Sequence, residues 1–202
     1  VLALVWLASL VLLNRDLGKA RHKPRFSELL SKSRAINILS AARLFLFGAR
    51  DVWFVVALPV YLSATFGWDF WQVGGFLAAW VIGYGIVQSF APHLTGKRRG
   101  KLPDGRAAFV WAALLALLPA LIALGLGSAL PAQPLLIGGL LLFGVLFAVN
   151  SSLHSYLIVS YAKEDGVSLD VGFYYMSNAL GRLVGTLLSG WVFQQYGLQA
   201  CL

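Results

Sequence analysis

Four charged side chains lie inside otherwise apolar runs: Arg43, Arg50 and Asp51 between positions 35 and 64, and Arg182 between 171 and 196. A guanidinium grips a phosphate or carboxylate through paired N–H donors, so arginines gathered round a cavity suit an anionic ligand. Arg43 and Arg50 are seven positions apart, two helical turns, and share a face with Ser40 and Phe47. Asp51 sits about 100° round from Arg50 on a helix. It either neutralises Arg50, points to a neighbouring helix or carries a coupling proton. Arg43 is nine residues beyond Arg34, so a snorkelling side chain is a second reading there. Arg50 lies about 24 Å along the helix from Arg34, too deep for that. For Arg50 with Asp51 the alternative is an ion pair that only joins two helices.

Two further polar stripes accompany these charges. Asn150 and His154 are i, i+4 neighbours beside Ser151, Ser152 and Ser155, a pattern that fits a cavity wall or hydrogen bonding between helices. Tyr175, Asn178, Arg182, Gly185 and Ser189 recur at spacings of three and four and predict one polar face, with Arg182 buried. Gly181 and Gly185 form a small-xxx-small pair that admits a second helix closely. Gly74, Gly75, Gly83 and Gly85 read as packing glycines, with Gln88 a weaker candidate for the lining. The serines round His154 come without a nucleophile elbow or an acid to orient the imidazole, so an intramembrane hydrolase is a distant reading. The lone Cys201 offers neither a disulfide within the chain nor a metal cluster. No phosphate-binding loop or zinc spacing occurs. The expectation is a protein that is not an enzyme and has no cofactor and no metal.

The elements that must position these residues follow from composition. Of 202 residues, 59% are hydrophobic and 12% charged. That charge content is about half that of a soluble domain, which excludes an ordinary soluble enzyme and a disordered chain. Apolar runs cover 35–64, 70–94, 107–126, 134–161 and 171–196, each long enough to cross a bilayer as a helix. Residues 1–13 read as the end of a truncated helix, and 197–202 as the start of a last span. Backbone groups in lipid must be satisfied within the chain, so the expected fold class is all-α, a polytopic membrane helix bundle.

The net charge of +8 sits in two loops. Positions 14–34 hold seven Lys or Arg against two acidic residues, and 95–106 hold five against one. Nucleic-acid binding is a poor reading, because no aromatics interleave with these clusters. Lys and Arg near span ends instead hold loops in the cytoplasm. Strict alternation then places 14–34, 95–106 and 162–170 inside, and 66–69 and 127–133 outside. The aromatics Trp53, Trp68, Phe70, Trp71, Trp80, Trp111 and Trp191 lie mostly near span ends and read as an interfacial belt.

A broken helix, a basic loop, five spans and the start of a sixth resemble the C-terminal half of a major facilitator superfamily transporter. The loop Thr95-Gly96-Lys97-Arg98-Arg99-Gly100 is similar to the second copy of that superfamily's Gly/Arg-rich cytoplasmic motif, without its usual Asp. The run SRAINILSAARLFLFGARDVWFVVALPVYL from Ser33 to Leu62 closely resembles the organoarsenical efflux permease family ArsJ. So do FWQVGGFLAAWVIGYGIVQSFAP, TGKRRGKLPDGR and YYMSNALGRLVGTLLSGW. The resemblance implies export of 1-arseno-3-phosphoglycerate by alternating access across a bacterial inner membrane, and arsenate resistance. It also implies a functional link to a glyceraldehyde-3-phosphate dehydrogenase, and a missing N-terminal half that closes the cavity. The substrate-binding candidates are Arg50, Arg182, Arg43, His154, Asn150, Asn178 and Tyr175, with Asp51 as coupling group or ion-pair partner. Transport of another organophosphate and a scaffold that transports nothing are the rival readings.

Overall fold

The computed structural model describes Trp6 and residues 33–94, 105–162 and 167–202. The basic segments 14–32 and 95–104, and the helix end expected over 1–13 apart from Trp6, lie outside the described residues. What is described is helical, with no strand: α1 (Arg34–Phe54), α2 (Ala57–Phe66), α3 (Phe70–Leu94), α4 (Gly105–Leu126), α5 (Ala132–Tyr161), α6 (Val167–Tyr196) and α7 (Leu198–Cys201). The chain is an all-α membrane helix bundle.

The first run is two helices. Proline cannot donate to the carbonyl four residues back, and its ring crowds that carbonyl. Pro59 therefore disrupts the ladder at Val55, and the helix breaks at Val55–Val56. The hydroxyl of Ser189 on α6 takes up freed donors there, accepting from the N–H of Val56 at 3.3 Å and of Ala57 at 3.1 Å. Gly67 ends α2 in the left-handed region, at φ 69°, which a side chain would resist. Asp69 and Gln72 then cap α3 reciprocally: each side chain accepts from the other residue's N–H, at 2.8 and 2.9 Å.

Length and composition make four stretches fit to cross a bilayer: Arg34–Phe66, Phe70–Ala91, Gly105–Leu126 and Ala132–Tyr161. α6 is thirty residues long but is not among them. Asn178, Arg182, Gln194 and Gln195 dilute its apolar content, so its place as a span rests on length and packing.

Two packing systems build the bundle. α1 lies closely along α6, and α5 takes α3 on one side and α4 on the other. Aromatic rings fill the centre: Phe47 meets Phe147 edge-on at 5.1 Å, Trp53 meets Phe143 at 4.9 Å, and Phe54 meets Trp80 at 4.7 Å. Two of the expected belt tryptophans are thus core residues. Trp53 and Trp80 are buried, and the Trp80 indole N–H donates to the Leu140 carbonyl at 2.8 Å. Trp71, by contrast, is exposed at the start of α3.

Candidate functional site

The site begins with a backbone contact. A Cβ on Gly48 would come within 3.0 Å of the Gly181 carbonyl oxygen. One on Gly181 would collide with the Leu44 carbonyl, and one on Gly185 with the Gly48 carbonyl. These three glycines let α1 and α6 touch main chain to main chain, as small residues do in membrane bundles. Short polar links can then cross between the helices.

Asp51 makes that link. It is fully buried, and both its oxygens are engaged. Arg50 Nε donates to Oδ1 at 2.7 Å, and Arg50 Nη2 reaches the same oxygen. Arg182 Nε donates to Oδ2 at 3.1 Å across the helix interface. Arg50 and Asp51 thus pair although they are adjacent in sequence, and Asp51 reaches a neighbouring helix as well. Arg182 is not buried as its stripe predicts; its side chain is 55% exposed. Only Nε is committed, and its two terminal amino groups have no partner among the described residues. Arg182 lies midway along α6, and Arg50 and Asp51 lie midway along the Arg34–Phe66 stretch near the end of α1; an unpaired charge costs most at the middle of a span.

A third arginine stands apart from this triad. Arg43 is 5% exposed, so the snorkelling reading is wrong: it turns inward. Its Nη1 donates to the Ser151 hydroxyl at 3.1 Å, tying α1 to α5. Its guanidinium lies over Phe47 at 4.0 Å and over Tyr174 at 5.1 Å. Arg50 lies over the same Phe47 ring at 4.9 Å and over Phe147 at 5.1 Å. One aromatic ring therefore serves both cations, which partly offsets their burial. The sequence names Phe47 as sharing the arginine face, but not as their platform. Spacing supplied the signal: Phe47 is four residues after Arg43 and three before Arg50.

A cavity of about 450 Å³ opens between α1, α4 and α5. Arg50 and His154 supply its charged or titratable lining, and Ala49, Trp53, Pro119 and Phe143 are among its apolar walls. The other candidates are dispersed. Asn150 is buried and donates to the Trp111 carbonyl of α4 at 2.9 Å and to the Leu146 carbonyl at 3.0 Å. Tyr175 is half exposed on α6, and Asn178 is partly buried with an unpartnered Oδ1. The stripe from Tyr175 to Ser189 winds from the open side into the α1 interface: Tyr175 and Arg182 are exposed, Gly185 and Ser189 buried. The α3 glycines Gly74, Gly75, Gly83 and Gly85 are not packing glycines among the described residues, since a Cβ on any of them meets nothing within 4 Å. No metal-binding cluster of His, Cys, Asp and Glu occurs among the described residues.

Residues 39–202 match the family model of the Major Facilitator Superfamily. The chain belongs to the major facilitator superfamily. It is therefore a multi-pass membrane transporter. No curated protein and no solved structure matches it. Transporters of this superfamily bind substrate near the midplane, between bundles that rock about the site.

Proposed function

We propose that this superfamily member exports an anionic organic substrate, and that Arg50, Arg182 and Asp51 form the core of its binding site. One observation carries the reading: at mid-span, Arg182 offers two unpaired terminal amino groups from a triad that retains net positive charge. A guanidinium with both ends free is a docking fork for a phosphate, arsenate or carboxylate oxygen pair. Arg43 and His154 contribute from α1 and α5, and Tyr175 and Asn178 from α6. Alternating access then carries the anion from one side to the other as the bundle rocks against a partner half that completes the cavity.

Within the anion class, the resemblance of Ser33–Leu62 and the later runs to the organoarsenical efflux permeases favours 1-arseno-3-phosphoglycerate. In that reading the protein sits in a bacterial inner membrane with the basic loops 14–34 and 95–106 on the cytoplasmic side, and confers arsenate resistance. The substrate comes from a glyceraldehyde-3-phosphate dehydrogenase that accepts arsenate in place of phosphate. The test is arsenate resistance in a sensitive host expressing wild type or Arg50→Gln/Arg182→Gln. The double variant is expected to lose resistance while remaining in the membrane. Undiminished resistance sinks the assignment. Uptake into everted vesicles of labelled organoarsenical against 3-phosphoglycerate then separates an arsenical exporter from a carrier of other organophosphates.

A further inference from the structure

We infer that Asp51 sets the charge of the anion this transporter accepts, discriminating against the more highly charged of two otherwise similar ligands. The inference rests on the anion-transport reading of the same site and adds a role for the one carboxylate within it. Three observations carry it. Asp51 has no solvent exposure, and both oxygens are held, Oδ1 by Arg50 and Oδ2 by Arg182. The α6 backbone closes on it from behind: a Cβ built on Gly185 would lie 3.0 Å from the Asp51 Cβ. Arg182 uses only Nε on Asp51, its side chain is 55% exposed, and its terminal amino groups have no partner among the described residues. Asp51 is therefore a fixed negative charge directly behind the fork, not a tenant that leaves when an anion arrives.

The local charges define what that does. Arg50, Arg182 and Asp51 together carry one net positive charge. Arg43, which shares the Phe47 ring with Arg50, adds a second. From α5 the titratable group facing this region is His154. On α6, Tyr174 lies under Arg43, and Asp170 is twelve residues before Arg182, about 18 Å away along the helix. Asp51 is thus the nearby negative charge among the described residues. An anion on the Arg182 fork sits one guanidinium width from it, roughly 6 Å away. At that separation each added unit of ligand charge is disfavoured about tenfold, even with an effective dielectric constant of about 40 for the half-exposed fork.

Two esters of one phosphoryl group test this without changing the pH: dimethyl phosphate, a monoanion, and methyl phosphate, a dianion at pH 8.5. Binding of each to the purified protein in detergent is measured by calorimetry for wild type, Asp51→Asn, Arg50→Gln and Arg50→Gln/Asp51→Asn. The readout is the ratio of the two dissociation constants within one preparation, so a loss of folded material cancels. Asp51→Asn is expected to shift the ratio toward methyl phosphate by about tenfold. Adding Asp51→Asn to Arg50→Gln should produce a shift in the same direction. That second pair keeps the test alive if the single variant does not fold, since the double variant leaves one fewer buried charge unpaired. A ratio that stays constant in both backgrounds while both esters bind overturns the role of Asp51 alone. Failure of wild type to bind either ester overturns the anion reading, and this inference with it.

Discussion

The α1–α6 interface and the α3–α5 interface are both helix pairs in one bundle, yet they hold together by different physics. Along α3 and α5 the contact is aromatic and aliphatic, with Trp80 laid against Gly144 and hydrogen-bonded to the Leu140 carbonyl. Along α1 and α6 three glycines bring the main chains together round an Arg–Asp–Arg triad whose carboxylate is buried. A lipid-embedded bundle gains little from hydrophobic burial between its helices, so packing and a single indole bond suffice for the first pair. The second pair retains charges that an apolar contact would do without. Buried ion pairs stabilise weakly relative to well-packed apolar residues. The charge in the α1–α6 interface is therefore a poor device for holding the pair together, and the proposed anion site gives it a use.

The largest expected effect comes from separating the two helices of the charged pair. Gly185→Leu places a branched side chain where the Gly48 carbonyl and the Asp51 Cβ already lie. Overpacking of this kind costs about 3 kcal/mol, the upper part of the usual range, because the obstruction is backbone and cannot rotate away. Thermal unfolding in detergent should register the loss, and transport should vanish. Gly144→Leu, against the Nε1 edge of the Trp80 side chain rather than against backbone, is expected to destabilise less. Equal losses at the two sites would erase the distinction between the interfaces.

Next in size is a contrast within the triad. Arg50 is mostly buried, so Arg50→Gln leaves Asp51 with one partner and costs about 3 kcal/mol as well as transport. Arg182 is half exposed, and Arg182→Gln should cost less than about 1 kcal/mol because solvent screens the lost pair. Its transport rate should nevertheless fall by about a hundredfold, the loss of one charge-assisted bidentate contact to the ligand. Chemical denaturation and vesicle uptake on the same preparations check both halves. If Arg182→Gln transports normally, the exposed guanidinium is not the docking fork.

How much of this could be read from the residues alone depends on range. The helical runs were legible because an apolar stretch of about 20 residues in lipid has few other choices. The break before Pro59 follows from a local fact, proline's missing donor. Gly181 and Gly185 announced a close contact, but not with which helix. The second partner of Asp51, Arg182, lies 131 positions away, and no local pattern encodes that pairing. Arg182 was expected to be buried because the stripe from Tyr175 to Ser189 has helical spacing. The structure turns its first part outward, because α6 packs chiefly on α1 and leaves its other sides open. Trp53 and Trp80 were misassigned for a similar reason: Trp80 lies mid-helix beside small residues, and only the fold places Gly144 opposite its indole.

On the apolar side of the comparison, Trp80→Phe removes the donor to Leu140 while keeping an aromatic ring beside Phe54 and Tyr84. The lost bond and the smaller ring together should cost about 1–2 kcal/mol, with transport within about twofold of wild type. Transport that collapses while stability barely moves would place this interface in the transport cycle and remove it as the inert reference.

The smallest effect should come from the glycines of α3 that face open space. Gly83→Ala adds a methyl group that meets nothing within 4 Å, so no steric cost attends it. Alanine also restricts the unfolded backbone and favours helix, which stabilises by up to about 1 kcal/mol. The expected result is a slightly raised unfolding temperature and unchanged transport. Gly185→Ala, the same change at the α1–α6 contact, should have the opposite sign, because its methyl group is driven into the Gly48 carbonyl. A loss of stability at Gly83 would mean that another surface packs on α3 there. The α3 glycines would then serve as a close-contact stripe like that of α6, with its partner outside the described residues.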